Sequence, residues 1–151
     1  MAILSQKKLL DLIDDDRIKA AIAAAERQTS GEIRVSVSRY FWGSVRRAAD
    51  KAFTRMGMRA TRDRNGILFF VVPSRRAFAI IGDEGIHQKV GQEFWEKLVA
   101  AMSEDFKAGK FNEGLIQAIA EAGRSLGAHF PYAGEKDVNE LTDDIDFGDK
   151  E

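Results

Sequence analysis

The segment Gly66-Ile67-Leu68-Phe69-Phe70-Val71-Val72 is apolar at every position after its glycine, and Pro73 ends it. Side chains of a strand alternate between two faces. A strand that is apolar on both faces belongs at the centre of a sheet with helices covering each side, not in a sheet with one wet face. The chain holds no longer apolar run, and this one is far short of the about 18 residues a membrane span needs.

What flanks the strand fits the same architecture. An upstream strand over 32–38 alternates, with Ile33, Val35 and Val37 on one face and Glu32, Arg34, Ser36 and Ser38 on the other, so one face is polar or lines a site. Before it, Ile18, Ala21, Ile22 and Ala25 repeat at helical spacing behind Asp14 as N-cap, with Ile13 and Ile18 placed as a hydrophobic staple. Between the two strands, a helix over 44–58 carries Val45, Ala48, Ala49, Ala52, Phe53 and Met56 on one stripe. That order makes the two strands parallel, and the turn Pro73-Ser74-Arg75-Arg76 returns the chain in an antiparallel strand over 77–81. Two or three helical segments follow: a short one from Glu84, a longer one with Phe94, Trp95, Leu98, Met102 and Phe106, and a last one over 113–128. Asn112 is placed to cap the last, with Phe111 and Ile116 as its staple. The expected fold is α/β, a three-layer α/β/α sandwich with a small mixed sheet of three or four strands, over residues 1–131. Residues 132–151 read as an acidic, flexible tail with few apolar anchors.

Composition closes off several functions. With no cysteine, and imidazole only at His87 and His129, the chain has no disulfide scaffold, thiolate nucleophile, iron–sulfur cluster, or zinc site of cysteine or clustered histidine. No signal-peptide pattern opens the sequence, so a cytoplasmic location is expected. A formal charge of -1 conceals a division: residues from Glu135 onward carry a net -6 and residues 1–134 a net +5. Between Ile33 and Arg76, ten arginines and Lys51 face only Asp50 and Asp63. Such a segment attracts phosphate or nucleic acid, or is a solvated basic face that the acidic tail partly neutralises. Trp42, Trp95 and the phenylalanines fall mostly at core spacing, which gives no sign of base stacking.

The topology brings three loops to one edge of the sheet. The starts of the first two strands and the end of the third meet there. They gather Thr29, Ser30, Gly31 and Glu32, then Asp63, Arg64, Asn65 and Gly66, then Gly82, Asp83, Glu84 and Gly85. Carboxylates and an asparagine on glycine-rich loops are hard oxygen donors suited to calcium or magnesium, and unpaired carboxylates repel unless a cation joins them. Glu32, Asp63, Asp83 and Glu84 are therefore candidate metal ligands. Three of them have a plainer role open: Asp83 as N-cap of the helix that begins at Glu84, Glu32 and Asp63 as surface partners of Arg34, Arg62 or Arg64. No activated nucleophile is apparent, and no catalytic residue is assigned. His87, one turn into the short helix, is a candidate acid or base, or a surface group; His129 sits at a helix end where the dipole favours it. Gly82, Gly85 and Gly91 lack dinucleotide-loop spacing, and no GxxxxGK[ST] occurs. Asp144-Ile145-Asp146-Phe147-Gly148-Asp149 starts like an EF-hand loop but has its glycine one place early and lacks the closing glutamate.

Three motifs in order, Thr29-Ser30-Gly31-Glu32-Ile33-Arg34-Val35, Arg64-Asn65-Gly66-Ile67-Leu68 and Phe78-Ala79-Ile80-Ile81-Gly82-Asp83-Glu84-Gly85-Ile86, resemble the TPM domain. That family includes a thylakoid-lumen protein of photosystem II repair and a modulator of acetylcholine receptors. The resemblance runs over about residues 14–131, taking in Phe94-Trp95, Phe106 with Gly109, and 127–131. It implies an α/β/α sandwich around a small mixed sheet. It also implies binding of a divalent cation, calcium above all, falling by position on Asp83 and Glu84 with Glu32 as neighbour. For a plant member it implies acid phosphatase activity. Many members carry a signal peptide and a membrane helix after the domain; neither pattern is visible here, which matches a soluble subgroup.

The expectation is a soluble TPM-type domain that binds calcium, or magnesium or another divalent cation, at the edge of Glu32, Asp63, Asp83 and Glu84. It would act as a regulatory or assembly module for an unidentified protein partner. One rival is a metal-assisted phosphatase acting on phosphate esters, with Arg62 or Arg64 and the amides at a helix start stabilising phosphoryl charge. The other is nucleic-acid binding through the arginine-rich segment 34–76.

Overall fold

In the computed structural model, which describes residues 8, 11–132, 134 and 143–148, the doubly apolar strand is the middle of the sheet. Strands β1 (Glu32–Val37), β2 (Gly66–Val72) and β3 (Ala77–Gly82) lie in that order, β1 parallel to β2 and β3 antiparallel to it. Every residue of β2 is buried. Its Ile67, Phe69 and Val71 join a core shared with α1 (Asp15–Glu26), α4 (Gln92–Lys107) and α5 (Phe111–Gly127). Leu68, Phe70 and Val72 join a smaller core under α2 (Val45–Arg55). The short α3 (Glu84–His87) follows β3 directly. This is the expected α/β/α sandwich, with three strands in its sheet. Among the described residues, no helix is long and apolar enough to cross a membrane.

The helix starts show local chemistry and its limits. Asp14 caps α1 by accepting from the Arg17 N–H at 3.2 Å, and Ser44 caps α2 by accepting from the Arg47 N–H at 3.1 Å. Asn112 does not cap the last helix. Phe111 is buried edge-on against Phe106, with centroids 5.1 Å apart, and α5 begins at Phe111, one residue before the expected cap. The Asn112 side chain instead reaches the start of α1, accepting from the Asp14 N–H at 2.8 Å and donating to the Leu12 carbonyl at 3.1 Å. It does a cap's work for another helix, satisfying backbone groups left open at a helix end. The same two helices touch closely further along, where a Cβ on Gly123 would lie 2.8 Å from that of Ala25.

The sequence left open whether the acidic stretch docks on the basic surface, and residues 143–148 do so along the free edge of β1. The Val37 N–H donates to the Asp146 carbonyl at 2.7 Å, and the Asp146 N–H donates to the Val35 carbonyl at 3.0 Å. Ser36 donates its hydroxyl to Asp146 Oδ2 at 2.7 Å, and Arg55 holds both carboxylate oxygens at 3.0 and 2.7 Å. Ile145 is buried in the main core. Arg34, nearly buried, donates to the Asp144 carbonyl at 3.2 Å, and Lys19 pairs with the Asp144 carboxylate at 3.1 Å. An edge strand left bare invites pairing with other chains, and this segment covers it. Residues 133, 135–142 and 149–151, for which flexibility was also expected, lie outside the described residues.

Two carboxyl groups at this edge are displaced in opposite directions. Burial pushes Asp146 upward, but the hydrogen bonds from Arg55 and Ser36 outweigh it and hold the group below its ordinary value. Glu26 is raised far above the carboxylate range by burial, then by its hydrogen bond with Asp143 and the charges of Asp143 and Glu32; the Ile33 N–H, 3.1 Å from its Oε2, opposes this only in part.

Asp146→Ala removes the acceptor for Arg55 and Ser36 and is expected to cost about 1–3 kcal/mol in denaturant unfolding, with the Val37 amide losing protection from hydrogen exchange. At Glu26, the folded chain keeps a proton that the unfolded chain releases above a pKa of 4.5. Its contribution to stability is therefore whole below that pH and is lost as pH rises toward the folded-state value. Glu26→Gln stays neutral throughout, so the native protein is expected to lose stability relative to this variant between roughly pH 5 and 9. Parallel urea midpoints over that range would show that no proton is retained.

Candidate functional site

The three loops meet at the sheet edge as the topology requires. Glu32 is level with Gly66 across the β1–β2 pair, and Ile67 with Gly82 across the β2–β3 pair. The loops are tied by backbone hydrogen bonds: Glu32 N–H to the Asn65 carbonyl at 3.2 Å, Asp83 N–H to the Gly66 carbonyl at 2.9 Å, and Gly85 N–H to the Arg64 carbonyl at 2.9 Å. A Cβ on Gly85 would run into the carbonyl oxygens of Asp63 and Arg64, so only glycine lets α3 sit against this loop.

Within this frame the four candidate carboxylates separate. Asp83, 4% exposed, caps α3 by accepting from the Glu84 N–H at 2.8 Å. Both its oxygens are also held by Arg64, Nε to Oδ2 at 2.8 Å and Nη2 to Oδ1 at 2.9 Å. Glu84 is largely exposed, with Oε1 3.6 Å from Arg64 Nη1. Asp63 is exposed and lies 3.8 Å from Arg62. Glu32 is buried on another side, where its charge acts on Glu26. The cation that joins Asp83 to Glu84 is thus the Arg64 guanidinium, whose pKa is raised chiefly by its hydrogen bond to Asp83. Among the described residues, no group of three or more histidine, cysteine or acidic side chains stands together as a metal cage. As arranged, the four carboxylates do not fit a preformed metal centre.

Sequence reasoning missed two features of this edge. Arg64 was considered as a partner for Glu32 or Asp63, whereas it serves Asp83. Asn65 is 1% exposed, and its buried Oδ1 has no hydrogen-bond partner among the described residues, an uncommon state for an amide oxygen. Neither histidine side chain pairs with Asp83 or Glu84 among the described residues. His87 is exposed and stacks on Trp95 with centroids 4.9 Å apart, while His129 borders a hollow of about 330 Å³ with Ser30, Asp63 and Gly85.

Beyond the carboxyl end of β1, between the loop 38–43 and α2, lies a larger cleft of about 790 Å³. Trp42 borders it and is 77% exposed, which corrects the core assignment of this residue. It belongs to the loop between β1 and α2, where no strand or helix period carries a side chain inward.

Comparison with known proteins agrees with the motifs. Residues 3–125 match the family model of the TPM domain, and no curated protein matches the sequence. Among solved structures, the BA42 protein from the psychrophilic bacterium Bizionia argentinensis aligns with a TM-score of 0.84 at 34% identity, over 92% of this chain and 94% of that one. The N-terminal domain of the cg2496 protein from Corynebacterium glutamicum aligns with a TM-score of 0.57 at 13% identity, over 86% of this chain and 75% of that one. The N-terminal domain of a P. gingivalis protein aligns with a TM-score of 0.65 at 14% identity, over 87% of this chain and 97% of that one. These last two are similar in fold alone. The chain belongs to the TPM domain family.

Proposed function

We propose that this TPM domain is a regulatory or assembly module that takes up a divalent cation, calcium by the hardness of its oxygen donors, at the loop 61–65 beside α3. The observation that carries the reading is Asn65 Oδ1, a buried oxygen acceptor without a partner among the described residues. Leaving such a group unsatisfied costs about 1–3 kcal/mol, and a cation would relieve it. Asp63, Asp83 and Glu84 are the carboxylates of the adjoining loops; Glu32 faces Glu26 and adds its charge elsewhere. Because Arg64 already neutralises Asp83, calcium competes with a tethered guanidinium, which makes the site weak and suits a response to changing calcium better than a permanent structural ion. The partner that reads the response is a protein not yet identified. The phosphatase rival has less support, since Arg64, one of its two charge stabilisers, is committed to Asp83.

A calcium titration followed by amide NMR is expected to shift residues 61–65 and 82–86 at millimolar calcium. In Arg64→Gln the same shifts are expected at roughly tenfold lower calcium, because a competing positive charge is gone; in Asp63→Asn they weaken. Unmoved spectra in both the native protein and Arg64→Gln would overturn the proposal.

A further inference from the structure

The cleft beside the loop 38–43 and α2 is separate from the Asn65 loop and has a chemistry of its own. Its volume of about 790 Å³ falls within the usual range for small-molecule sites. It runs from the loop 38–43 that follows β1 along one side of α2, past Arg47, Lys51 and Arg55, to Phe70 of β2. Among the described residues, no acidic side chain lines it. Eight of the ten arginines in the basic segment have partners: Arg55 with Asp146, Arg46 with Asp50 at 3.7 Å, Arg64 with Asp83, Arg62 with Asp63, Arg34 with the Asp144 carbonyl, Arg59 with the Thr54 hydroxyl, Arg76 with the Lys107 carbonyl, and Arg75 over the Phe41 ring at 4.5 Å. Arg39, Arg47 and Lys51 remain, and all three line the cleft with no ion-pair partner for their side chains among the described residues. Beside them Trp42 meets Tyr40 only edge-on, at 5.7 Å and 78°, so its ring faces are open. Phe70 and Phe147 give the cleft an apolar part.

We propose that this cleft binds a nucleotide, with its phosphates against Arg39, Arg47 and Lys51 and its base stacked on Trp42. Three cations around one hollow, without an acidic partner among the described residues, call for a polyanion. An open indole face next to them calls for a planar group, which inorganic phosphate lacks. An extended acidic peptide would pair with the β1 edge, and residues 143–148 already cover that edge. A free mononucleotide and the end of a single-stranded nucleic acid share this base-and-phosphate chemistry, so the test must separate them.

The experiment uses the full chain at low salt with chelator present, which keeps it independent of the calcium site. ATP, inorganic tripolyphosphate and a short single-stranded oligothymidylate are titrated, with tryptophan fluorescence and amide NMR as readouts. ATP is expected to quench Trp42 and shift residues 38–48 while residues 61–65 stay still. Arg47→Ala should weaken ATP by about tenfold or more. Trp42→Leu, at a side chain largely in water, should weaken ATP and leave tripolyphosphate unchanged. Saturation by ATP with no gain from the oligonucleotide assigns a mononucleotide. Affinity that grows with oligonucleotide length and falls steeply with salt assigns nucleic acid as the source. No response to ATP or oligonucleotide at millimolar concentration would overturn the proposal, as would tripolyphosphate binding as well as ATP with Trp42→Leu indifferent.

Discussion

The burial of β2 on both faces is the constraint from which the rest of the molecule follows. Phe69 on one side and Phe70 on the other cannot both be sheltered by one layer of helices, so the chain needs α1, α4 and α5 on one face and α2 on the other. Supplying those layers fixes the connections. The helix between β1 and β2 makes them parallel, and the tight turn at Pro73–Arg75 makes β3 antiparallel. The loops entering β1 and β2 and leaving β3 are then forced together, and with them Asp83, Arg64 and Asn65.

A carboxylate in such a place must be compensated. Asp83 is almost fully buried, and a buried charge without partners is expensive. Arg64 meets it with two parallel hydrogen bonds, the geometry in which guanidinium surpasses lysine. The same solution recurs at the edge of β1, where Arg55 grips Asp146 with two nitrogens. The opposed charges of the body and the acidic stretch thus meet in specific contacts, and what remains unmatched in the basic segment is concentrated at the Trp42 cleft. Exposed excess charge of this kind is the part available to a ligand.

The sequence made the layers legible because periodicity reports burial, and β2 was readable to the residue. The polar face of β1 was visible too, as a face that is polar or lines a site. Its covering by residues 143–148 was not, because one bridge at Ser36, one isoleucine, Ile145, and scattered contacts from Arg34, Arg55 and Lys19 hold it, with no period to reveal them. Asn112 looked like a cap by spacing, and its long-range bonds to Leu12 and Asp14 outweighed the local pattern. At the candidate site, chain order correctly predicted that the loops converge, but not which charges touch. Arg64 and the acids lay in one list of neighbours, and only side-chain geometry pairs the guanidinium with Asp83, while Glu32 is buried where its charge acts on Glu26. Trp42 was misread because loop residues carry no phase.

The central claim is that Asp83 is neutralised by the chain's own guanidinium. A double-mutant cycle between Arg64→Gln and Asp83→Asn, read as urea midpoints with chelator present, tests it most directly. Asp83→Asn keeps the cap of α3 while removing the charge, so adding Arg64→Gln to it should lower the midpoint little further, although Arg64→Gln alone lowers it clearly. Losses that simply add would mean that the two side chains do not depend on each other, and would contradict the account.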